Sequence, residues 1–140
     1  MWGLTDMPAT PGLPAVEMFE AAAEGRVKAL WIVCTNPAQS LPDQALLRRA
    51  LERCEFVVVQ EAYRTAATVA HADLLLPAAS WGEKEGTVTN SERRITHVNA
   101  AIPAPGEARP DWRIAVDFAH ALGDQLDTVQ PEPVEGEFKA

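Results

Sequence analysis

The sequence predicts an α/β domain, a parallel sheet lying between helices. Short apolar runs rich in β-branched or leucine residues, at 27–33, 56–59 and 74–76, alternate with segments whose apolar residues recur at helical spacing. From 78 to 109 the alternation stops, and a polar, turn-rich stretch intervenes before one last helical segment. Alternation of this kind implies parallel strands joined by right-handed helical crossovers.

Each element has a local reason. Residues 1–13, rich in Pro and Gly, read as a loop. Pro14 suits a first helical turn, where its missing N–H costs nothing. Val16, Phe19, Ala22 and Ala23 then line one helix face, and Gly25 is free to take the left-handed backbone that ends it. The run 27–33 is almost wholly apolar, as expected of a strand covered on both faces. Residues 34–42, with Pro37 and Pro42, read as a loop. Asp43 is the N-cap expected for a second helix, whose stripe is Leu46, Leu47, Ala50, Leu51 and Cys54. The second strand, 56–59, runs into Gln60 and Glu61. A short helix over 65–71, capped by Thr65 or Arg64, leads to the third strand, 74–76, which Pro77 ends.

Short strands at 87–89 and 95–98 make a small hairpin excursion after the third strand. Pro103, Pro105 and Gly106 begin another loop. Pro110 opens the last helix, with Trp112, Ala115, Val116, Ala119 and Leu122 on one face and Gly123 past its end. Residues 14–123 are thus expected to form one three-layer, Rossmann-like domain. Residues 124–140 carry Asp124, Asp127, Glu132, Glu135 and Glu137 against Lys139, and are expected to be a disordered acidic tail.

Lys and Arg total 12 against 20 Asp and Glu, a formal charge of −8, which disfavours a nucleic-acid surface. No apolar run is long enough to cross a bilayer as a helix, and residues 1–6 lack the marks of a secretory leader. The expectation is a soluble, cytoplasmic protein with no membrane span. Cys34 and Cys54 stand in no metal spacing and read as buried thiols in a reducing compartment. His71, His97 and His120 are dispersed, so no metal site is expected. Trp31, Trp81 and Trp112 read as core residues rather than ligand platforms.

In an open parallel sheet, ligands bind beyond the carboxyl ends of the strands. Three segments leave those ends: Thr35-Asn36-Pro37, Gln60-Glu61-Ala62-Tyr63, and the stretch from Ala78 onward. Asn36 offers a donor and an acceptor. Glu61 suits ribose hydroxyls or the amino group of a guanine or pterin. Thr87, Asn90, Arg93 and Arg94 suit phosphates or ring edges. Plainer readings stand beside these. Asn-Pro after a strand is ordinary turn chemistry, Glu61 is equally a solvated strand end, and Glu83-Lys84-Glu85 a solvated turn. Arg93 and Arg94 are equally partners for Glu83 or Glu92 across a hairpin. No catalytic set emerges: there is no nucleophile elbow, Walker loop or Gly-x-Gly-x-x-Gly.

The order of segments is more specific than any one of them. Val27-Lys28-Ala29-Leu30-Trp31-Ile32-Val33-Cys34-Thr35-Asn36-Pro37 resembles the molybdopterin oxidoreductase family. So does Ala72-Asp73-Leu74-Leu75-Leu76-Pro77, which leads into Glu83-Lys84-Glu85-Gly86-Thr87 and Asn90-Ser91-Glu92-Arg93-Arg94. Pro110-Asp111-Trp112 matches the start of the helix that follows in that family. Cys-Thr-Asn-Pro and Asn-Ser-Glu-Arg-Arg look most like the assimilatory nitrate reductases, and formate dehydrogenase catalytic subunits share most of the pattern. The resemblance implies a bis-molybdopterin guanine dinucleotide cofactor carrying molybdenum, reduction of nitrate to nitrite, and an iron–sulfur cluster feeding electrons. By the same match, Thr35, Asn36, Pro37, Glu61, Glu85, Gly86, Thr87, Asn90 and Arg94 would face the cofactor. The family's iron–sulfur cysteines, its molybdenum ligand and its C-terminal barrel have no counterpart here. The expectation is therefore one cofactor-binding part of a longer catalytic subunit, with Met1 either an imposed start or an internal methionine, and no activity on its own. Its partners would be the rest of that subunit and an electron donor. The other class of reading is a free-standing α/β binding module without redox activity.

Overall fold

The computed structural model describes residues 10–122, so most of the leading loop, Gly123 and the acidic tail lie outside the described residues. Three parallel strands, β1 (Ala29–Val33), β2 (Phe56–Glu61) and β3 (Leu74–Pro77), form one sheet in the order β1-β2-β3. Leu30 pairs with Val57, and Val59 with Leu75. Helix α1 is Ala15–Ala23, α2 is Pro37–Ser40, α3 is Gln44–Arg53 and α4 is Asp111–Ala121. A 3-10 turn, Ala67–His71, joins β2 to β3. Strands β4 (Gly86–Thr89) and β5 (Ile95–Val98) form a separate antiparallel hairpin. The α/β architecture with a hairpin after the third strand is therefore as the sequence predicts.

The helix ends follow from local chemistry. Gly25 has φ 79, and the N–H groups of Gly25 and Arg26 donate to Ala22 and Ala21, capping the carbonyls α1 leaves open. The Asp43 side chain accepts from the N–H of Leu46 at 2.8 Å and starts α3. Pro37 opens a one-turn helix, α2, inside the segment expected to be loop, with its absent N–H at a position that needs none. The turn at 67–71 starts from Ala66, one residue after Thr65 and two after Arg64, with no side-chain cap bond.

One core lies under the sheet. Phe19 and Ala22 of α1, and Leu47, Ala50 and Leu51 of α3, pack on Leu30, Ile32, Val57 and Val59. Ala21, Ala22 and Ala50 are fully buried, and their small side chains let α1 and α3 approach closely. That approach sets the rotation of α1 and leaves Val16, expected in the stripe, 47% exposed.

Among the described residues the other face is covered by α4 alone. Ile114 is buried, and Phe118 meets Trp31 edge-on with ring centroids 4.9 Å apart. A cavity of about 520 Å3 remains between them, walled by Trp31, Val58, Leu74, Leu76 and Phe118. The Trp31 indole N–H is buried without a partner among the described residues. The expectation that β1 is covered on both faces is thus corrected. Leu30 and Ile32 are buried, while Ala29 and Val33 are exposed.

Helix α4 presents a different stripe from the one expected. Asp111, Ile114, Phe118 and Ala121 border the cavity and notch on the sheet side, and of the expected stripe Trp112, Ala115 and Leu122 are exposed while Val116 and Ala119 are half-buried. The cause is polar: Asp111 is drawn toward Gln60 beneath it, and that contact turns the helix.

Replacing the fully buried Leu47 by Ala is expected to cost about 3 kcal/mol of stability, against about 1 kcal/mol for Asp43→Ala. Urea midpoints at unchanged slope would measure both. Equal losses would contradict this placement of the core.

Candidate functional site

The carboxyl ends of the three strands meet the start of α4. The segment before α4 runs beside the end of β3: Arg109 donates to Pro77 O at 3.2 Å, and Ala79 donates to Arg109 O at 2.8 Å. This pairing delivers Asp111 over the sheet edge. Gln60 follows Val58 on the α4 face of β2 and is 2% exposed. Its Nε2 donates to Asp111 Oδ1 at 2.8 Å. Cys34, just past β1, has φ 55, and its Sγ lies 3.4 Å from the same oxygen.

The turn after β3 supplies a cation. Ser80 N–H donates to Glu83 Oε2, and Glu83 N–H donates to Ser80 O, closing the turn reciprocally. Gly82 sits in it at φ 84. Lys84 then reaches Asp111 Oδ2 at 3.1 Å, with its ammonium 4.6 Å from the Trp81 ring centre. The hairpin is tied on at its base, where Trp112 Nε1 donates to Glu85 O at 3.0 Å. Gly86 adopts φ 146, and a Cβ there would meet Trp112 Nε1 at 3.4 Å.

Asp111 is the electrostatic centre of this edge. Burial alone would raise its pKa, but hydrogen bonds from Gln60, Lys84 and Cys34 outweigh it and hold the carboxyl below its ordinary value. The Cys34 thiol, though exposed, is pushed up by partial desolvation and then by its bond to Asp111. Around them open two adjoining notches. One, about 170 Å3, is lined by Cys34, Gln60, Glu61, Ser80 and Ala78–Ala79. The other, about 190 Å3, is lined by Glu85, Gly86, Thr87, Val98 and Trp112. Trp81, Lys84 and Asp111 border both.

The residues singled out from sequence fall in separate places. Glu61 lines the first notch, although its Oε1 accepts from the N–H groups of Ala62 and Tyr63. Glu85, Gly86 and Thr87 line the second. Asn36 turns inward, where its Oδ1 accepts from Thr68 N and Oγ1 at 3.1 and 2.6 Å. Pro37 is buried, and Thr35 borders a different cavity of about 590 Å3 between β1 and α1. Asn90 Oδ1 accepts from the N–H groups of Glu92 and Arg94, holding the hairpin tip. Arg94 pairs there with Glu92, 80% exposed.

Asp111, Lys84, Gln60 and Cys34 were absent from that set. Gln60 carried a signal, a polar residue continuing an apolar strand, and Lys84 was hidden in a charge run. Cys34, expected to be buried, is exposed, because its left-handed backbone turns the thiol out to the notch. Trp81 and Trp112 border the notches at 65% and 48% exposure and are not core residues, since the turn after β3 and the hairpin lie outside the sheet.

A parallel sheet with a polar notch at its carboxyl edge is the arrangement in which open α/β folds hold ligands. The chain belongs to the molybdopterin oxidoreductase family, whose family model matches residues 2–121. It is 49% identical over 122 residues to the nitrate reductase of Klebsiella oxytoca, covering 87% of this chain and 14% of that protein. To the assimilatory nitrate reductase catalytic subunit of Bacillus subtilis it is 43% identical, over 88% of this chain and 17% of that one. The F420-dependent formate dehydrogenase 2 subunit alpha of Methanococcus maripaludis is 41% identical over 88% of this chain and 18% of its own length. The chain therefore spans less than a fifth of each of these relatives. Among solved structures, acetylene hydratase from Pelobacter acetylenicus shares the fold with a TM-score of 0.69 at 23% identity, over 77% of this chain and 15% of that one.

A carboxyl held low in the folded state contributes stability above the ordinary aspartate value, and that contribution is lost as pH falls through the lower folded value. Asp111→Asn is therefore expected to flatten the acid limb of the stability curve below about pH 4 while lowering stability at neutral pH. An acid limb equally steep in both proteins would contradict the assignment.

Proposed function

We propose that this chain forms part of the cofactor-binding wall of a molybdenum nitrate reductase and holds one end of a molybdopterin guanine dinucleotide. The observation that carries the reading is the convergence of Gln60, Glu61, Lys84 and Asp111 on the carboxyl edge of the sheet. Carboxylate, amide and ammonium groups suit the amino and oxo substituents of guanine or pterin, and the exposed Trp81 offers a flat face beside them.

The fit is partial. Notches of about 170 and 190 Å3 are smaller than the few hundred Å3 that enclose a ligand of that size. They suit one heterocycle edge and leave the remainder to other segments of a longer chain. Among the described residues no His, Cys, Asp and Glu converge in a group suited to a metal. On this reading the molybdenum ligand and the iron–sulfur cluster belong to those other segments. When bound, the cofactor would supply two-electron chemistry, here the reduction of nitrate to nitrite.

Within the proposal, Glu85, Gly86 and Thr87 shape the outer notch. Asn36 and Pro37 fix the loop after β1, Asn90 fixes the hairpin, and Thr35 and Arg94 act as outer contacts. The half-covered sheet face, with its unpartnered Trp31 N–H, is where the rest of the subunit would pack. An electron-donor protein or domain and a cytoplasmic location complete the reading. Among the described residues no helix is long and apolar enough to cross a membrane.

Titration of the chain with GMP, followed by amide shifts, is expected to move Cys34, Gln60, Glu61, Lys84–Thr87 and Asp111. No shift at millimolar ligand would overturn the binding claim. In a full-length parent, nitrate-dependent oxidation of a reduced dye is expected. Formate-dependent dye reduction without nitrate turnover would assign the chain to a formate dehydrogenase instead.

A further inference from the structure

We infer that Asp111 is a positioning residue: acting through Gln60 and Lys84, it sets the hydrogen-bond polarity of the notch and selects a planar heterocycle that presents N–H donors. This rests on the proposed binding role of the notch and goes further, naming the feature of the ligand that is read.

An ionised carboxylate only accepts. The Gln60 amide must therefore turn Nε2 toward Asp111, as the 2.8 Å contact shows. Its Oε1 then accepts from no described residue. Gln60 is 2% exposed, yet Oε1 is not sealed, since among the described residues the Trp31 indole nitrogen alone is both buried and unpartnered. Gln60 lines the first notch, to which we assign this oxygen. Glu61 adds a second acceptor, because only its Oε1 is engaged by the loop N–H groups. Lys84 is the donor at the border, pinned between Asp111 and the Trp81 ring, with one of its three N–H bonds used. Two acceptors beside one cationic donor complement the amino-oxo-pyrimidine edge shared by guanine and pterin, which offers neighbouring N–H donors next to a carbonyl. A neutral Asn at 111 could donate to Gln60 Oε1, which would let that amide turn over and point its donor into the notch.

The test uses the full chain and the amide and side-chain amide spectra. The probes are GMP, xanthosine monophosphate, which replaces the amino group with an oxygen, and a neutral pterin. The chain is expected to prefer GMP over xanthosine monophosphate by on the order of tenfold. Asp111→Asn should bring that ratio to one or below, and Asp111→Glu should restore part of it. Gln60→Met, which leaves Asp111 in place, should also abolish the discrimination, and so answers the question if Asp111→Asn does not fold. Notch shifts produced by the pterin more strongly than by GMP would support the inference with the pterin end as the ligand, and the reverse order would support it with guanine. Equal response to both nucleotides, or a ratio unchanged in a folded Asp111→Asn, would overturn the inference and leave the proposed binding intact. No response of the notch to any probe would overturn both.

Discussion

A carboxylate placed at the first turn of a helix and over the end of a sheet organises one whole side of this molecule. Asp111 accepts from Gln60 on β2, from Cys34 past β1 and from Lys84 in the turn after β3. Removing such a group from water is costly, and the cost is offset here by several donors and by the positive end of the α4 dipole. The rotation of α4 follows from that contact. Ile114 and Phe118 come down on the sheet, and Trp112 swings outward to hold the hairpin through Glu85 O. The strand-end loops, the last helix and the hairpin are therefore fastened at one polar junction.

The two faces of the sheet differ in kind. One carries a closed apolar core in which small residues let α1 and α3 pack tightly. The other keeps an apolar cavity of about 520 Å3 and an indole N–H with no partner among the described residues. A parallel sheet is normally covered on both sides. The asymmetry is consistent with family membership in which the chain accounts for 14% to 18% of the length of the relatives compared.

Much of the fold was legible because its signals are local. Gly25 ends α1 since the left-handed backbone is cheap for glycine, and Asp43 starts α3 since its side chain satisfies an open N–H. The strands were visible as branched apolar runs. The site was legible only in outline. The rule that ligands sit at strand carboxyl ends located the right edge, and Glu61, Glu85, Gly86 and Thr87 lie there. Asn36 and Asn90, chosen for their side-chain chemistry, spend it on Thr68 and on the hairpin turn. A side chain that suits a ligand equally suits the backbone beside it, and spacing does not distinguish the two.

The sequence by itself determined the class of fold, the element order and the family, because periodicity, caps and motif order are written along the chain. Tertiary structure alone decided which polar groups became neighbours. Gln60, Lys84 and Asp111 stand far apart in sequence, and although each lies in a segment noted there, nothing along the chain joined them. They meet because parallel pairing of β2 with β3 brings two strand ends together, and because the segment at Arg109 runs beside β3 and carries Asp111 over both. Long-range backbone pairing, which no local propensity encodes, made the site.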